Sequence, residues 1–348
     1  MNVEAFMADR RVGIWLVGAL GGVGSTVALG LAALREQCTS PRGMMTALPL
    51  FDGVDLDSPD QFVLGGHDIR RGDLLSSVSD LARDASIFDP TVIRAVQSHL
   101  SEWSKNIRPG TVLNSGDAIA ALADRPDLPS TRSPREAIAS MRADISDFRD
   151  RHKLDQVVVV NVASTEPPFS LTADHGSIGQ LNERLDDPAF LPVSSLYAYA
   201  AIDSGWPYVN FTPSTGASVP GLVDLAIQRG SPIAGQDGKT GETLLKSVLA
   251  PMFAARNLRI LSWVGHNILG NRDGQVLHDP RNKAGKMLAK DRIVSEILDY
   301  SPQTHTSIEY IESLNDWKTA WDHVHFEGFL GVKMTLQFTW QGCDSALA

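Results

Sequence analysis

The first uncharged stretch of the chain, Val12 to Leu34, is apolar but is interrupted by glycines at 18, 21, 22 and 24. It reads as a strand over Val12–Val17, a tight turn, and a helix from about Ser25 to Arg35, rather than as a membrane span. Met44 to Phe51 reads as a second strand, and Gly65-Gly66-His67-Asp68-Ile69 as a compact turn. Asp89-Pro90 opens a helix with Ile93, Val96, Leu100 and Trp103 on one face. Arg108 to Arg132, rich in Pro, Asp and Gly, reads as irregular connection. Ser133-Pro134-Arg135-Glu136 is a capping box that starts a helix carrying Ile138, Met141, Ile145 and Phe148. That helix feeds Val157–Val160, an unbroken apolar run of the kind buried in parallel sheets. A helix over Leu196–Ile202, a short strand over Tyr208–Phe211, and a helix from Pro220 to Gly230 follow. Repeated strand-then-helix units predict a mostly parallel sheet with right-handed crossovers.

From Thr240 the character changes. A helix carries Leu244, Leu245, Val248 and Leu249, with Pro251 kinking or ending it, and Ile260–Val264 is a strand followed by a loop over Asn267–Gly274. Ile308–Ile311 and Val332–Trp340 read as strands of a second, smaller sheet. The expected fold is α/β: a Rossmann domain over residues 1–240, with 341–348 starting its returning segment. A second, smaller α/β domain over 241–340 is inserted near its C-terminal end.

Composition narrows the function classes. With 348 residues, 43% hydrophobic and 21% charged, the chain has the balance of a globular protein long enough for two domains. A net charge of -10 argues against a nucleic-acid binder, which needs a basic surface to displace counterions. Cys38 and Cys343 are the only cysteines, so there is no disulfide framework or zinc-type pair, and a reducing cytoplasm fits.

The glycine turn has the chemistry of a dinucleotide site, where backbone approaches a pyrophosphate and a helix N-terminus faces its charge. Gly18, Gly22 and Gly24 fit GxxxGxG, the spacing of short-chain dehydrogenases. Those enzymes carry a YxxxK, but the residues four beyond Tyr197, Tyr199, Tyr208, Tyr300 and Tyr310 are Ala201, Asp203, Thr212, Thr304 and Leu314. Gly238-Lys239-Thr240 ends like a phosphate-binding P-loop, yet Ile233 stands where its first glycine belongs. Asp52 and Asp68 are the two candidates for the adenosine ribose. Asn161–Pro168 leaves a strand at its carboxyl end, where open α/β sheets present ligand loops.

The densest chemistry lies between Gly235 and Lys290. Two Asp-Gly pairs, Asp237-Gly238 and Asp273-Gly274, sit on short connections there. Lys283, Lys286 and Lys290 share one helical face and suit a phosphate. His323 and His325 alternate as strand neighbours do, with no third ligand for a metal.

These segments together resemble the myo-inositol-1-phosphate synthase family, in order and across most of the chain. The matching pieces are VGALGGVGST (17–26), LGGHDIR (64–70), VNVASTEPP (160–168), NFTPSTGASVPG (210–221), IAGQDGKTGETLLKSVL (233–249) and NILGNRDG (267–274). The NFTPS form is similar to prokaryotic members. The resemblance implies an isomerase of inositol and phospholipid biosynthesis, a cytoplasmic homotetramer that uses NAD without consuming it. Glucose 6-phosphate would be oxidised at C5, enolised at C6, closed by aldol attack on C1 and reduced again. A monovalent or divalent cation is left open.

By position, the resemblance assigns Gly18, Gly21, Gly22, Val23 and Gly24 to the pyrophosphate and Asp68, rather than Asp52, to the ribose. Ala163, Ser164, Thr165 and Thr212 fall beside the cofactor, and Asp237 and Thr240 on its nicotinamide side. Asn271 and Asp273 lie near the sugar ring and phosphate. Lys286 is assigned to oxyanion or proton-transfer work and Lys290 to substrate charge. The family pattern also implies a lysine on a strand after that helix, where Glu309 and Glu312 stand, and another in a segment past Asp344-Ser345-Ala346-Leu347. On this count a divergent or shortened member is expected. A relative that stops after redox chemistry or takes another sugar phosphate, or a non-catalytic NAD-binding homologue, are the alternatives.

Overall fold

The computed structural model describes residues 10–130, 132–238, 240–283 and 294–347. The opening apolar run folds as expected into β1 (Val12–Val17) and α1 (Gly22–Arg35), the helix beginning three residues before the expected Ser25. The second strand is not at Met44–Phe51. That segment forms two exposed single-turn 3-10 helices, Met45–Ala47 and Pro49–Phe51, because proline at 49 supplies no ladder donor and no element covers its side chains.

The second strand is β2 (Phe62–Asp68), across what reads in sequence as a glycine turn. Its glycines answer close packing, not chain reversal. A Cβ at Gly65 would lie 2.9 Å from both Phe148 and Trp15, and one at Gly66 would run into the Leu16 carbonyl.

After α2 (Leu74–Ala85), Asp89 caps α3 (Pro90–Ser104) by accepting the Thr91 N–H at 2.8 Å. The stretch expected to be irregular holds a short strand, β3 (Ile107–Pro109), and one helical turn, α4 (Asp117–Ala120). Ser133 caps α5 (Pro134–His152), whose Ile138, Met141, Ile145 and Phe148 are buried. Then come β4 (Gln156–Asn161), α6 (Ile178–Arg184), α7 (Val193–Asp203), β5 (Tyr208–Asn210), α8 (Pro220–Arg229) and β6 (Ile233–Ala234). All six strands run parallel in the order β3-β2-β1-β4-β5-β6. Helices α1, α2 and α3 pack as one group and α5, α7 and α8 as another. The chain reverses direction along the sheet between β1 and β4, which opens a crevice at their carboxyl ends.

The second sheet, in the order β10-β9-β7-β8, contains β7 (Arg259–Leu269), β8 (Gln303–Tyr310), β9 (Trp317–Glu327) and β10 (Lys333–Cys343). Asn267–Leu269, expected in a loop, belongs to β7, and only Gly270–Asn271 separates it from α10 (Arg272–Leu277), which follows α9 (Gly241–Ala255) in helix order. Helix α9 does not bury its leucines. Its covered side is Glu242, Lys246, Ala250 and Phe253, while Leu244 and Val248 are exposed. A four-residue helix, α11 (Asp344–Leu347), follows β10 and returns to α1.

Phe148 joins the first layer's helices to its sheet. It is fully buried, 5.2 Å from the Trp15 ring, in the space that Gly13 and Gly65 leave open. Phe148→Ala should therefore lower stability by about 3–5 kcal/mol, read as an earlier urea midpoint. A loss under 1 kcal/mol would show that the neighbours refill the space.

Candidate active site

The chain must turn sharply after β1. Gly18 has φ +88°, and a Cβ there would lie 2.9 Å from the Ala163 Cα, so only glycine fits between this turn and the exit of β4. The His67 carbonyl accepts both the Gly18 and Ala19 N–H groups, at 2.9 and 3.1 Å, and pins the turn to the end of β2. Gly21, the N-cap of α1, has no side chain to cover the first helical N–H groups. Beside them the buried Ser25 hydroxyl has no hydrogen-bond partner among the described residues.

Asp68 closes one side of this turn. Its Oδ2 accepts the Leu20 N–H at 2.7 Å and its Oδ1 the Arg70 N–H at 2.9 Å, while the Arg70 guanidinium donates to the Leu20 carbonyl. Burial raises the Asp68 carboxyl above its ordinary range, opposed by the Arg70 charge and the backbone donors. His67 is held neutral by burial, its Nδ1 accepting from Trp15 and its Nε2 facing Asp144 at 3.1 Å.

At the exit of β4, Asn161 Nδ2 donates to Asn210 Oδ1 and Thr212 Oγ1 at 3.2 and 3.3 Å, tying two adjacent strand ends together. The Thr165 carbonyl accepts from the buried Asn282 at 2.7 Å, linking this loop to the chain just before Lys283. Glu166 is buried. Its Oε1 accepts the Ser194 N–H at 2.8 Å and its Oε2 the Ser194 hydroxyl, yet burial outweighs both bonds and raises the carboxyl to about 7.

The second sheet supplies the opposite wall. Asn271 caps α10 by accepting the Gly274 N–H at 2.9 Å and donates to Asp316 Oδ1 at 3.0 Å. Lys318, at the start of β9, reaches Asp344 Oδ1 at 3.1 Å with its side chain 12% exposed.

These groups line one cavity of about 470 Å³. It brings together Gly18, Gly21, Gly22 and Val23; Asp68; Ala163, Ser164 and Thr165; Thr212; Asp237 and Thr240; and Asn271 and Asp273. Gly24 does not line it: a Cβ there would press on the Ala19 carbonyl at 2.6 Å, so this glycine serves the turn from behind. Asp52 lies elsewhere, in the exposed 3-10 segment. Lys286 and Lys290 fall outside the described residues. Lys283 pairs with Glu309 at 3.0 Å, and neither Glu309 nor Glu312 lines the cavity. His323 and His325 lie two residues apart on β9, opposite Gln337 and Thr335 of β10, and among the described residues no group of three His, Cys, Asp or Glu could hold a metal.

Sequence reasoning missed Ser25, Glu166, Asp316, Lys318 and Ser345 as cavity residues. Ser25 and Glu166 could have been found, since each lies within a motif already singled out. The other three are set there only by the second sheet's return.

A parallel doubly wound sheet, a glycine turn at its switch point and an acidic residue ending β2 define a dinucleotide-binding α/β protein. The turn fits a pyrophosphate: Gly18, Gly21 and Gly22 line the cavity without side chains, and the buried Ser25 hydroxyl beside them bonds to no described residue.

The chain belongs to the myo-inositol-1-phosphate synthase family, whose model matches residues 12–298. It is 30% identical to inositol-3-phosphate synthase 1 of Bacteroides thetaiotaomicron, the match covering 100% of this chain and 84% of that protein. With inositol-3-phosphate synthase of Dictyostelium discoideum it shares 31% identity over 99% of this chain and 73% of the relative. The crystal structure of inositol-3-phosphate synthase from Caenorhabditis elegans superposes with a TM-score of 0.86 at 24% identity, covering 98% of this chain and 73% of that one. A myo-inositol-1-phosphate synthase-related protein from Thermotoga maritima gives 0.76 at 24% identity, covering 97% and 84%. At that identity the two structures establish the fold.

Glu166 generates a pH prediction. Its folded value of about 7 exceeds the ordinary 4.5, so the native state takes up this proton first as pH falls. Its contribution to stability therefore grows between pH 7 and about 4.5, by up to ~3 kcal/mol. Measured by urea unfolding at pH 8 and pH 5, wild type should gain on Glu166→Gln by roughly this amount. The opposite slope would exclude a raised carboxyl.

Proposed function

We propose that the protein converts glucose 6-phosphate to myo-inositol 1-phosphate, also named the 3-phosphate, as an isomerase with tightly held NAD. What carries this reading is the meeting, in one cavity, of a dinucleotide turn from the parallel sheet with the Asn271, Asp273 and Lys318 wall from the second sheet. Family membership supports the same activity. NAD, when bound, accepts a hydride from the sugar and later returns it.

The residues divide the remaining work. Gly18, Gly21, Gly22 and Val23 cradle the pyrophosphate, and Asp68 takes the adenosine ribose. Ala163, Ser164, Thr165, Thr212, Asp237 and Thr240 orient the nicotinamide end. Asn271 and Asp273 position the sugar. Once a ketone stands beside a carbon to be deprotonated, negative charge develops on its oxygen, and cations aimed at that oxygen lower the barrier. Lys286 takes that role and Lys290 holds substrate charge. Lys318 adds a cation to the cavity wall separate from positions 309 and 312, where the glutamates stand outside it.

We assign residues 1–240 and 341–348 to the cofactor domain and 241–340 to the catalytic domain. The protein works as a homo-oligomer, a tetramer on family grounds, in the cytoplasm. The open face of the second sheet, with His266, His305 and Trp321 exposed, supports self-association. Among the described residues no helix is long and apolar enough to cross a membrane.

Purified protein incubated with NAD and glucose 6-phosphate should yield inositol phosphate by mass and phosphorus NMR. No product from protein that retains NAD would overturn the activity. Lys286→Ala should abolish turnover while leaving NAD affinity nearly intact. Lys318→Ala should lower kcat by roughly 10²–10³-fold, the usual cost of losing one group at a developing oxyanion; a change confined to NAD affinity would reassign it.

A further inference from the structure

The returning turn at Asp344–Ser345 sits directly on the dinucleotide turn. A Cβ at Gly22 would overlap the Ser345 hydroxyl, so the first residue of α1 has this turn as its immediate neighbour. One carboxylate holds Ser345 there. Asp316 is 5% exposed and takes four donors: Ser345 Oγ at 2.7 Å and Asn271 Nδ2 at 3.0 Å on Oδ1, Ser345 N–H at 2.9 Å and Cys343 Sγ at 2.6 Å on Oδ2. Its own carbonyl accepts the Asp344 N–H at 2.8 Å.

Every group facing this side chain is a donor, which suits a carboxylate and not an amide. An asparagine would turn its own hydrogens toward the Ser345 N–H or the Asn271 amide. Burial, with the neighbouring Asp316, pushes the Cys343 thiol up to about 12, so it stays a neutral donor. Asp316 thus joins segments far apart in sequence, and two of its contacts, Asn271 and Ser345, line the same cavity as Gly22.

We infer that Asp316 is a positioning residue that fastens the Asp344–Ser345 turn over the glycine turn as a clasp on bound NAD. The inference rests on the reading above, because a dinucleotide reduced and reoxidised within one turnover has to be retained until the hydride returns.

The test follows NADH release by fluorescence, from protein loaded with NADH and chased with excess NAD, without sugar phosphate. Asp316→Asn should speed release roughly tenfold or more, the effect of losing a charge-assisted hydrogen bond, while the melting temperature stays within about a few degrees of wild type. Ser345→Ala, which removes the hydroxyl donor but keeps the Ser345 N–H on Asp316, should speed it about two- to fivefold. Unchanged release from folded Asp316→Asn overturns the clasp; if that variant does not fold, Ser345→Ala decides, and an unchanged rate there overturns it. Wild type that binds no dinucleotide overturns both this inference and the family-based function. Wild type that binds NADH but makes no inositol phosphate overturns the function alone.

Discussion

The double hydrogen bond from Gly18 and Ala19 to the His67 carbonyl is the constraint on which the rest of the cavity depends. It forces the chain after β1 back against the end of β2 and leaves room only for glycine at 18. With the turn in that place, Asp68 meets the Leu20 N–H, α1 starts pointing into the crevice, and Ala163 passes beneath Gly18. The residue that holds the turn is itself anchored in the core, because the His67 ring is buried between Trp15 and Asp144. Cofactor geometry and core packing are therefore the same contacts.

Between α9 and the second sheet the protein buries charge. Glu242 and Lys246 pair at 2.7 Å under β7, both nearly inaccessible, with Asn267 donating to the second Glu242 oxygen at 2.6 Å. Asp322 accepts from Trp263 at 2.7 Å close by. Taking such groups out of water costs more than their attraction returns unless further bonds satisfy them, so ion pairs of this kind specify geometry more than they add stability. Here they fix α9 against the sheet that carries Asn271 and Lys318. Glu166 shows the same balance at a single carboxyl: two bonds from Ser194 do not overcome burial.

The two sheets meet through polar contacts from residues distant in sequence. Asn282 donates to the Thr165 carbonyl, and Asp316 gathers Asn271 and Ser345. Neither residue belongs to a recognisable motif. Each reaches a backbone group at the end of another element, the Thr165 carbonyl after β4 and the Ser345 N–H at the start of α11. These links set the distance between the cofactor turn and the sugar-side wall.

Local pattern alone determined much of this protein. The breaks at Gly18–Gly24, the Ser133 cap, the valines of β4, and the Pro220 and Gly230 ends of α8 act over a few residues, so they carry their meaning in the chain itself. The ordered motifs likewise pointed to Asp68 rather than Asp52, and most of the residues they marked line the cavity. The tertiary structure alone decided the rest. Gly65 and Gly66 look like a turn until Phe148 and Leu16 are packed against them, and Met44–Phe51 looks like a strand until no neighbour pairs with it. Leu244 and Val248 of α9 are exposed because a buried ion pair claims the helix's inner side. Lys318 and Asp316 reach the cavity only because β9 and the return after β10 bring them to the glycine turn. Contacts between residues hundreds of positions apart leave no local trace in the sequence; they exist only once both layers have folded.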